Sequence, residues 1–176
     1  MKNINMFVTL MALSQVGFSA TDHVYYYVGT VHYTDLVGQV HVPSDEEFIL
    51  KKELLPSRGV FIETATMHDR NGVMSDLATS VRVNGNSVVA VSSDGSVTGV
   101  GRIDGPEWDF TYLEINFVVG ASGTRIKNIN YITPSTLIAR KEISNSAGQP
   151  TLLWESDMKL ISAEEYQVRH QQLLGH

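Results

Sequence analysis

No cysteine occurs among the 176 residues. That one absence excludes disulfides, thiolate metal centres, cysteine nucleophiles and a lipidated cysteine at the start of a mature chain. Positive charge is scarce: 13 lysines and arginines face 19 acidic residues, a formal net charge of −6. Nucleic acid and anionic membrane surfaces both call for a basic face, so neither is expected as a partner. No apolar run reaches the roughly 20 residues that a membrane-spanning helix needs.

Compact chemical motifs are missing as well. The six histidines show no HExxH or comparable ligand spacing. His23, His32 and His41 are nine apart and would alternate faces along a strand. Asp69-Arg70-Asn71-Gly72 lacks the acid spacing and closing glutamate of a calcium loop. Gly99-Val100-Gly101 has Asp104 where a dinucleotide loop needs its third glycine. Gly120-Ala121-Ser122-Gly123 joins two strands rather than a strand and a helix, so Ser122 is a turn residue and not an elbow nucleophile. No metal ligand, cofactor or catalytic residue is therefore assigned.

What is present reads as one exported domain. Hydrophobic residues make up 43% and charged residues 18%, enough apolar material for a real core. The first twenty residues are MKNINMFVTLMALSQVGFSA. Lys2 supplies a positive start, Ile4–Leu13 is mainly apolar, and Gly17 and Ser19 are the small residues of a cleavage site after Ser19. A signal peptide over 1–19 is expected, then a single domain over 20–176 with a periplasmic or secreted destination.

The mature part is strand material. His23–Tyr33 is rich in tyrosine and β-branched residues, and Gly29 inside it suggests a bulge or sharp bend. Leu36–Val42 is a weaker, edge-like segment. Glu47–Leu55 fits a strand or a short helix equally well by periodicity. Arg58–Met67, Asp76–Val83 and Ser87–Val91 follow, and Asn84-Gly85 carries the composition of a type I′ hairpin turn. From Ser96 to Ile161 the chain reads as a meander: SVTGVGRID, WDFTYLEINFVV, TRIKNINYI, STLIARKEI and TLLWESDMKLI, separated by short turns. Trp108, Phe110 and Tyr112 lie on one parity, and Leu113, Ile115 and Phe117 on the other. A regular strand cannot bury both sets on one face, so a bulge near Tyr112 or a strand covered on both sides is expected. In the final segment Leu152, Trp154, Met158 and Leu160 alternate with Glu155, Asp157 and Lys159, which leaves one face wet. Ser162 is a helix cap with Glu165 completing a capping box, and Tyr166, His170, Leu173 and Leu174 recur at helical spacing. Nine to ten strands with regular turns imply an all-β sandwich or barrel.

Candidate binding residues come from the strands. Tyr26, Trp108, Tyr112 and Trp154 are expected on the apolar face, where they would line a lumen or, alternatively, fill a solid core. Met158 shares the parity of Trp154. Arg140, with Arg82, Arg102 and Arg125, also lies on a strand; turned inward it would hold a ligand carboxylate, turned outward it is solvated.

The ending Leu153-Trp154-Glu155-Ser156-Asp157-Met158-Lys159-Leu160-Ile161-Ser162-Ala163-Glu164-Glu165-Tyr166, a closing strand running into a capped helix, resembles the lipocalin-like (calycin) domains of exported bacterial proteins. The likeness covers Asp76–Leu174. The Gly-x-Trp motif that opens many lipocalins is missing near Tyr25–Tyr33, and no family residue carries over. The resemblance implies an antiparallel up-and-down barrel with a cavity for a small apolar ligand. Three functions then stand open. A binding module expects a small hydrophobic or amphipathic ligand in a cavity containing Trp154 and either Trp108 or Tyr112. An isomerase or hydrolase inside the barrel expects an inward polar group such as His32 or Arg140. A structural or interaction protein of the envelope expects a filled core and an exposed apolar patch or open edge at Leu36–Val42.

Overall fold

The computed structural model describes residues 21–42, 46–68, 72, 74–106 and 108–175. The expected leader and most of the Asp69–Gly72 turn lie outside them. Eleven strands and one helix follow in order: β1 His23–Asp35, β2 Val40–Val42, β3 Glu47–Leu55, β4 Val60–His68, β5 Met74–Asn84, β6 Ser87–Ser92, β7 Val97–Asp104, β8 Tyr112–Val119, β9 Arg125–Ile132, β10 Thr136–Ser144, β11 Pro150–Ile161 and α1 Ala163–Leu174.

Every strand from β3 to β11 pairs antiparallel with its sequence neighbour, and β11 returns to β1. The closing ladder runs from Tyr26 opposite Ile161 to Asp35 opposite Leu152. On its other side β1 pairs with β3 over His23–Thr30 and with β2 over Tyr33–Asp35. β2 therefore extends the position of β3, and the sheet closes as a ten-stranded up-and-down barrel. Closure leaves the long strands no unpaired edge.

Several local ambiguities are resolved by pairing. Glu47–Leu55 is a strand because its backbone is shared between β1 and β4: Leu50 faces Tyr27 on one side and Ala65 on the other. The edge-like Leu36–Val42 contributes only the three residues of β2. The Asn84-Gly85 hairpin turns one residue later than a type I′ reading places it. Asn84 pairs with Ser87, so Gly85 and Asn86 are central, and only Gly85 has positive φ, at 56°. That is the glycine requirement of a II′ turn. The parity conflict around Tyr112 needs neither a bulge nor a doubly covered strand. β8 begins at Tyr112, and Trp108 and Phe110 belong to the preceding loop, where Trp108 has φ 68°.

Two glycines make the barrel possible. A Cβ at Gly29 would stand 2.6 Å from Ser156 Oγ and 2.7 Å from the Asp157 carbonyl oxygen, so only glycine lets β1 lie against β11 there. A Cβ at Gly101 would fall 1.8 Å from the Glu114 carbonyl oxygen, within the β7–β8 ladder.

Apolar residues of alternate parity fill the interior in two clusters. Leu54, Phe61, Val81, Ile103, Phe110 and Leu113 close one end. Tyr27, Val31, Phe48, Leu137, Trp154 and Met158 pack toward the other. A third cluster lies outside the barrel, where Tyr166 of α1 covers Val28, Ile49 and Ile161. Ser162 Oγ accepts the Glu165 amide hydrogen bond at 3.1 Å and caps α1. The reciprocal half of the expected capping box is replaced: the Glu165 carboxylate accepts from Arg169, which also reaches Glu47 on β3.

Candidate functional site: a polar group inside the barrel

Inward positions of a small barrel are normally apolar, since a buried polar group without a partner is costly. Three adjacent regions of this lumen depart from that rule. On β3 the alternation Phe48, Leu50, Lys52, Leu54 places a lysine inside, and Lys52 stands directly opposite Glu63 on β4. On β9 the alternation Ile126, Asn128, Asn130, Ile132 places two buried amides inside. On β10, Lys141 follows Leu137 and Ala139 on the inward parity, opposite Asn128 of β9 and Trp154 of β11.

The two lysines have different surroundings. Lys52 Nζ lies 3.1 Å from Glu63 Oε1, with the two side chains 4% and 13% exposed. The ion pair is close, but no hydrogen bond forms across it. Lys52 Nζ also sits over the rings of Phe61 and Phe110, at 4.7 and 4.6 Å from their centroids. Its charge thus has a carboxylate and two aromatic faces. Lys141 Nζ lies 4.3 Å from the Trp154 ring centroid and 5.4 Å from that of Phe48. Those two rings meet edge to face at 5.0 Å. Among the described residues no carboxylate forms an ion pair with Lys141. Burial pushes its ammonium pKa down, and the Glu63 charge opposes this only in part. Lys141 is surrounded by protein yet keeps some accessible surface, because it faces an internal cavity.

That cavity measures about 190 Å³ and is walled by Phe48, Leu50, Met67, Leu77 and Phe117, with Lys141, Asn128, Asn130 and Glu63, and the hydroxyls of Ser75 and Thr79, as its polar part. The Oδ1 atoms of Asn128 and Asn130 are buried without a hydrogen-bond partner. A second cavity of about 370 Å³ opens at the other end of the barrel, between Tyr25, Tyr27, Lys52, Trp108, Phe110 and Ile132. Glu63 lines the first and Lys52 the second, so their ion pair lies between the two. Burial, with Tyr25 and Glu63 nearby, pushes the Tyr27 hydroxyl up to about 12, so it remains a neutral donor at ordinary pH. A broader groove of about 610 Å³ runs outside the barrel past Gly29, Asp157, Met158, Lys159 and Arg169 and holds none of the polar lumenal groups.

The six residues named from the sequence are dispersed by this geometry. Trp154 and Met158 face the interior, where Trp154 backs Lys141 rather than lining a cavity. Trp108 borders the cavity at the opposite end. Tyr26 points outward, 4.9 Å from Tyr166 beneath α1. Tyr112 also points outward; its hydroxyl donates to Glu114 at 2.7 Å and its ring lies 5.4 Å from Tyr131. Arg140 is half exposed and pairs with Glu155 at 3.5 Å. His32 is exposed, 6.3 Å from His41. Trp154 thus shares no cavity with Trp108 or Tyr112. The residues that do meet in the lumen, Lys52, Glu63, Asn128, Asn130 and Lys141, carried a readable signal: each interrupts an apolar alternation with a polar side chain.

Fold and site together define a closed antiparallel β-barrel with an apolar cavity and a charged, amide-bearing pole. No family model matches the chain, and no curated protein does. Among solved structures it is similar to the dehydratase domain of the polyketide PpsC from Mycobacterium tuberculosis, at 10% identity over 78% of this chain and 75% of that one, with a TM-score of 0.22. The same domain in complex with C12:1-CoA matches at 10% identity over 77% and 75%, again at 0.22. Likeness at that level establishes no shared architecture, and the functional reading rests on the lumen alone. Among the described residues no helix is long and apolar enough to cross a membrane, and no group of three or more histidine, aspartate or glutamate side chains is placed to hold a metal ion.

Proposed function

We propose that this protein is an exported, periplasmic or secreted, binding protein that holds a small amphipathic ligand inside its barrel. One observation carries the reading: an internal cavity of about 190 Å³ has an apolar wall and an unsatisfied polar pole. A lumen built only for stability would be filled with side chains, since a void forfeits contacts and a buried amide oxygen without a donor costs free energy. A bound molecule would satisfy both. Native mass spectrometry of the protein purified from its host's envelope tests this. A small molecule at unit stoichiometry, released on denaturation, is the expected result. A bare protein mass together with no thermal shift from any small amphiphile would overturn it.

A second reading, an interaction protein of the envelope, draws on the outer face of β6, β7 and β8. Val89 lies opposite Val100, and Val91 and Val118 both lie opposite Thr98. All four valines are exposed, Val100 at 63%. A monodisperse monomer that captures nothing through this face would leave only the binding reading.

A further inference from the structure

Three charged side chains face the lumen, and they do not balance. Lys52 and Glu63 sit opposite one another on neighbouring strands and neutralise each other at 3.1 Å. Lys141 faces the same cavity as Glu63, whose charge offsets its burial only in part, and it has aromatic faces but no ion-pair partner among the described residues. An ammonium in such a place loses its water, and ring quadrupoles return only part of that cost. Beside it, Asn128 and Asn130 present buried oxygens with no donor, although the two residues are only 5% and 3% exposed. A cation without an ion-pair partner thus lines one cavity with three acceptors lacking hydrogen-bond donors, the Oδ1 atoms of Asn128 and Asn130 and Oε1 of Glu63.

We propose that the ligand is a short-chain hydroxy acid, its carboxylate accepting from Lys141 and its hydroxyl donating to the amide oxygen of Asn128. This rests on the lumenal-binding reading and adds the ligand's charge. Register supports the pairing of the two functions. Asn128 is directly opposite Lys141 on the adjacent strand, so cation and nearer amide are neighbours on one wall, about 4.5–5.5 Å apart at their Cβ atoms. A hydroxyl on the carbon next to the carboxylate suits that spacing. Ala139, opposite Asn130, is the small residue that leaves room in front of the amides. The rest of the wall is Phe48, Leu50, Met67 and Phe117, which suits an alkyl chain. A cavity of about 190 Å³ holds roughly six groups the size of a water or methylene. A neutral ligand would leave Lys141 uncompensated. An amine would meet Lys141 as a like charge. A phosphate dianion would ask for more cationic donors than this pole supplies.

Calorimetric titration of the full chain with five probes of about the cavity's capacity tests the assignment: 2-hydroxybutanoate, butanoate, methyl butanoate, 1-butanol and butylamine. Butanoate is expected to bind at least tenfold tighter than its methyl ester or butanol, 2-hydroxybutanoate several-fold tighter again, and butylamine not at all. Lys141→Met should remove the acid-over-ester preference while butanol binding persists. Asn128→Leu should remove only the gain from the hydroxyl. If Lys141→Met does not fold, the acid-over-ester contrast on the unaltered chain decides alone. Equal affinity for butanoate, ester and butanol would overturn the anion assignment and leave the lumenal site standing. Failure of all five probes to bind would overturn the hydroxy-acid assignment, and native mass spectrometry of the envelope-purified protein then decides the lumenal reading separately.

Discussion

Lys52 and Lys141 make opposite predictions although both are inward lysines on one barrel wall system. Removing one member of a buried ion pair leaves the other uncompensated, so Lys52→Met should destabilise by about 3–5 kcal/mol, read from the urea midpoint. Lys141 has no carboxylate to strand, so Lys141→Met in the ligand-free protein should be neutral or stabilising, by up to about 1–4 kcal/mol. The pH dependence has a definite sign. Because the Lys141 pKa is lowered on folding, the folded state binds fewer protons than the unfolded chain between that lowered value and the ordinary lysine value. Stability should rise with pH across that window, and Lys141→Met should abolish the rise. Asp94 has the same sign in the acid range. Hydrogen bonds from Ser92 and Ser96 hold its carboxyl down at about 2, in the β6–β7 turn. Its contribution should be complete above the ordinary carboxylate range and fade as pH falls toward 2. Asp94→Ala should remove that acid limb from a melting-temperature profile, and an unchanged profile would contradict it.

At the scale of elements, closure and the helix are separable. Gly29 lets β1 approach β11, and a Cβ there has nowhere to go without moving backbone at Asp157. Gly29→Val should therefore cost about 1–3 kcal/mol or more through overpacking, with the loss seen first as fast amide exchange along β1 and β11. α1 adds an outer layer rather than a barrel wall. Tyr166 is 3% exposed, packed on Tyr26 and stacked on His170 at 5.6 Å. Tyr166→Ala should destabilise by about 3 kcal/mol and loosen α1, yet retain the β signature in circular dichroism. If the β signature collapses with it, the helix is part of the barrel's folding unit instead. The helix was legible from Ser162 and its apolar spacing, because capping and 3.6-residue periodicity are local. The destination of Glu165 was not: Arg169, one turn on along the helix, takes its carboxylate while Glu47 of β3 holds the same guanidinium.

For the whole molecule, the defining contact is the most distant strand pairing: Tyr26 meets Ile161 across nearly the full described chain. Loop-closure entropy must be met before that ladder forms, so refolding should take about milliseconds to seconds rather than microseconds, as stopped-flow fluorescence of Trp154 would show. Meander order and the terminal helix were determined by the sequence alone, because alternation and capping act over a few residues, whereas pairing decided that Glu47–Leu55 is a strand and that the hairpin turns at Gly85-Asn86. The all-β barrel was therefore legible, and so was the polar interruption at Lys52, Asn128, Asn130 and Lys141, once strand parity is read. Only the tertiary structure decided which face of each strand points inward. Tyr26, Tyr112 and Arg140 alternate as plausibly as Tyr27, Leu113 and Lys141, and the choice depends on where β11 meets β1 and where α1 lies. Parity is a two-fold local pattern, whereas inside and outside exist only once the sheet has closed.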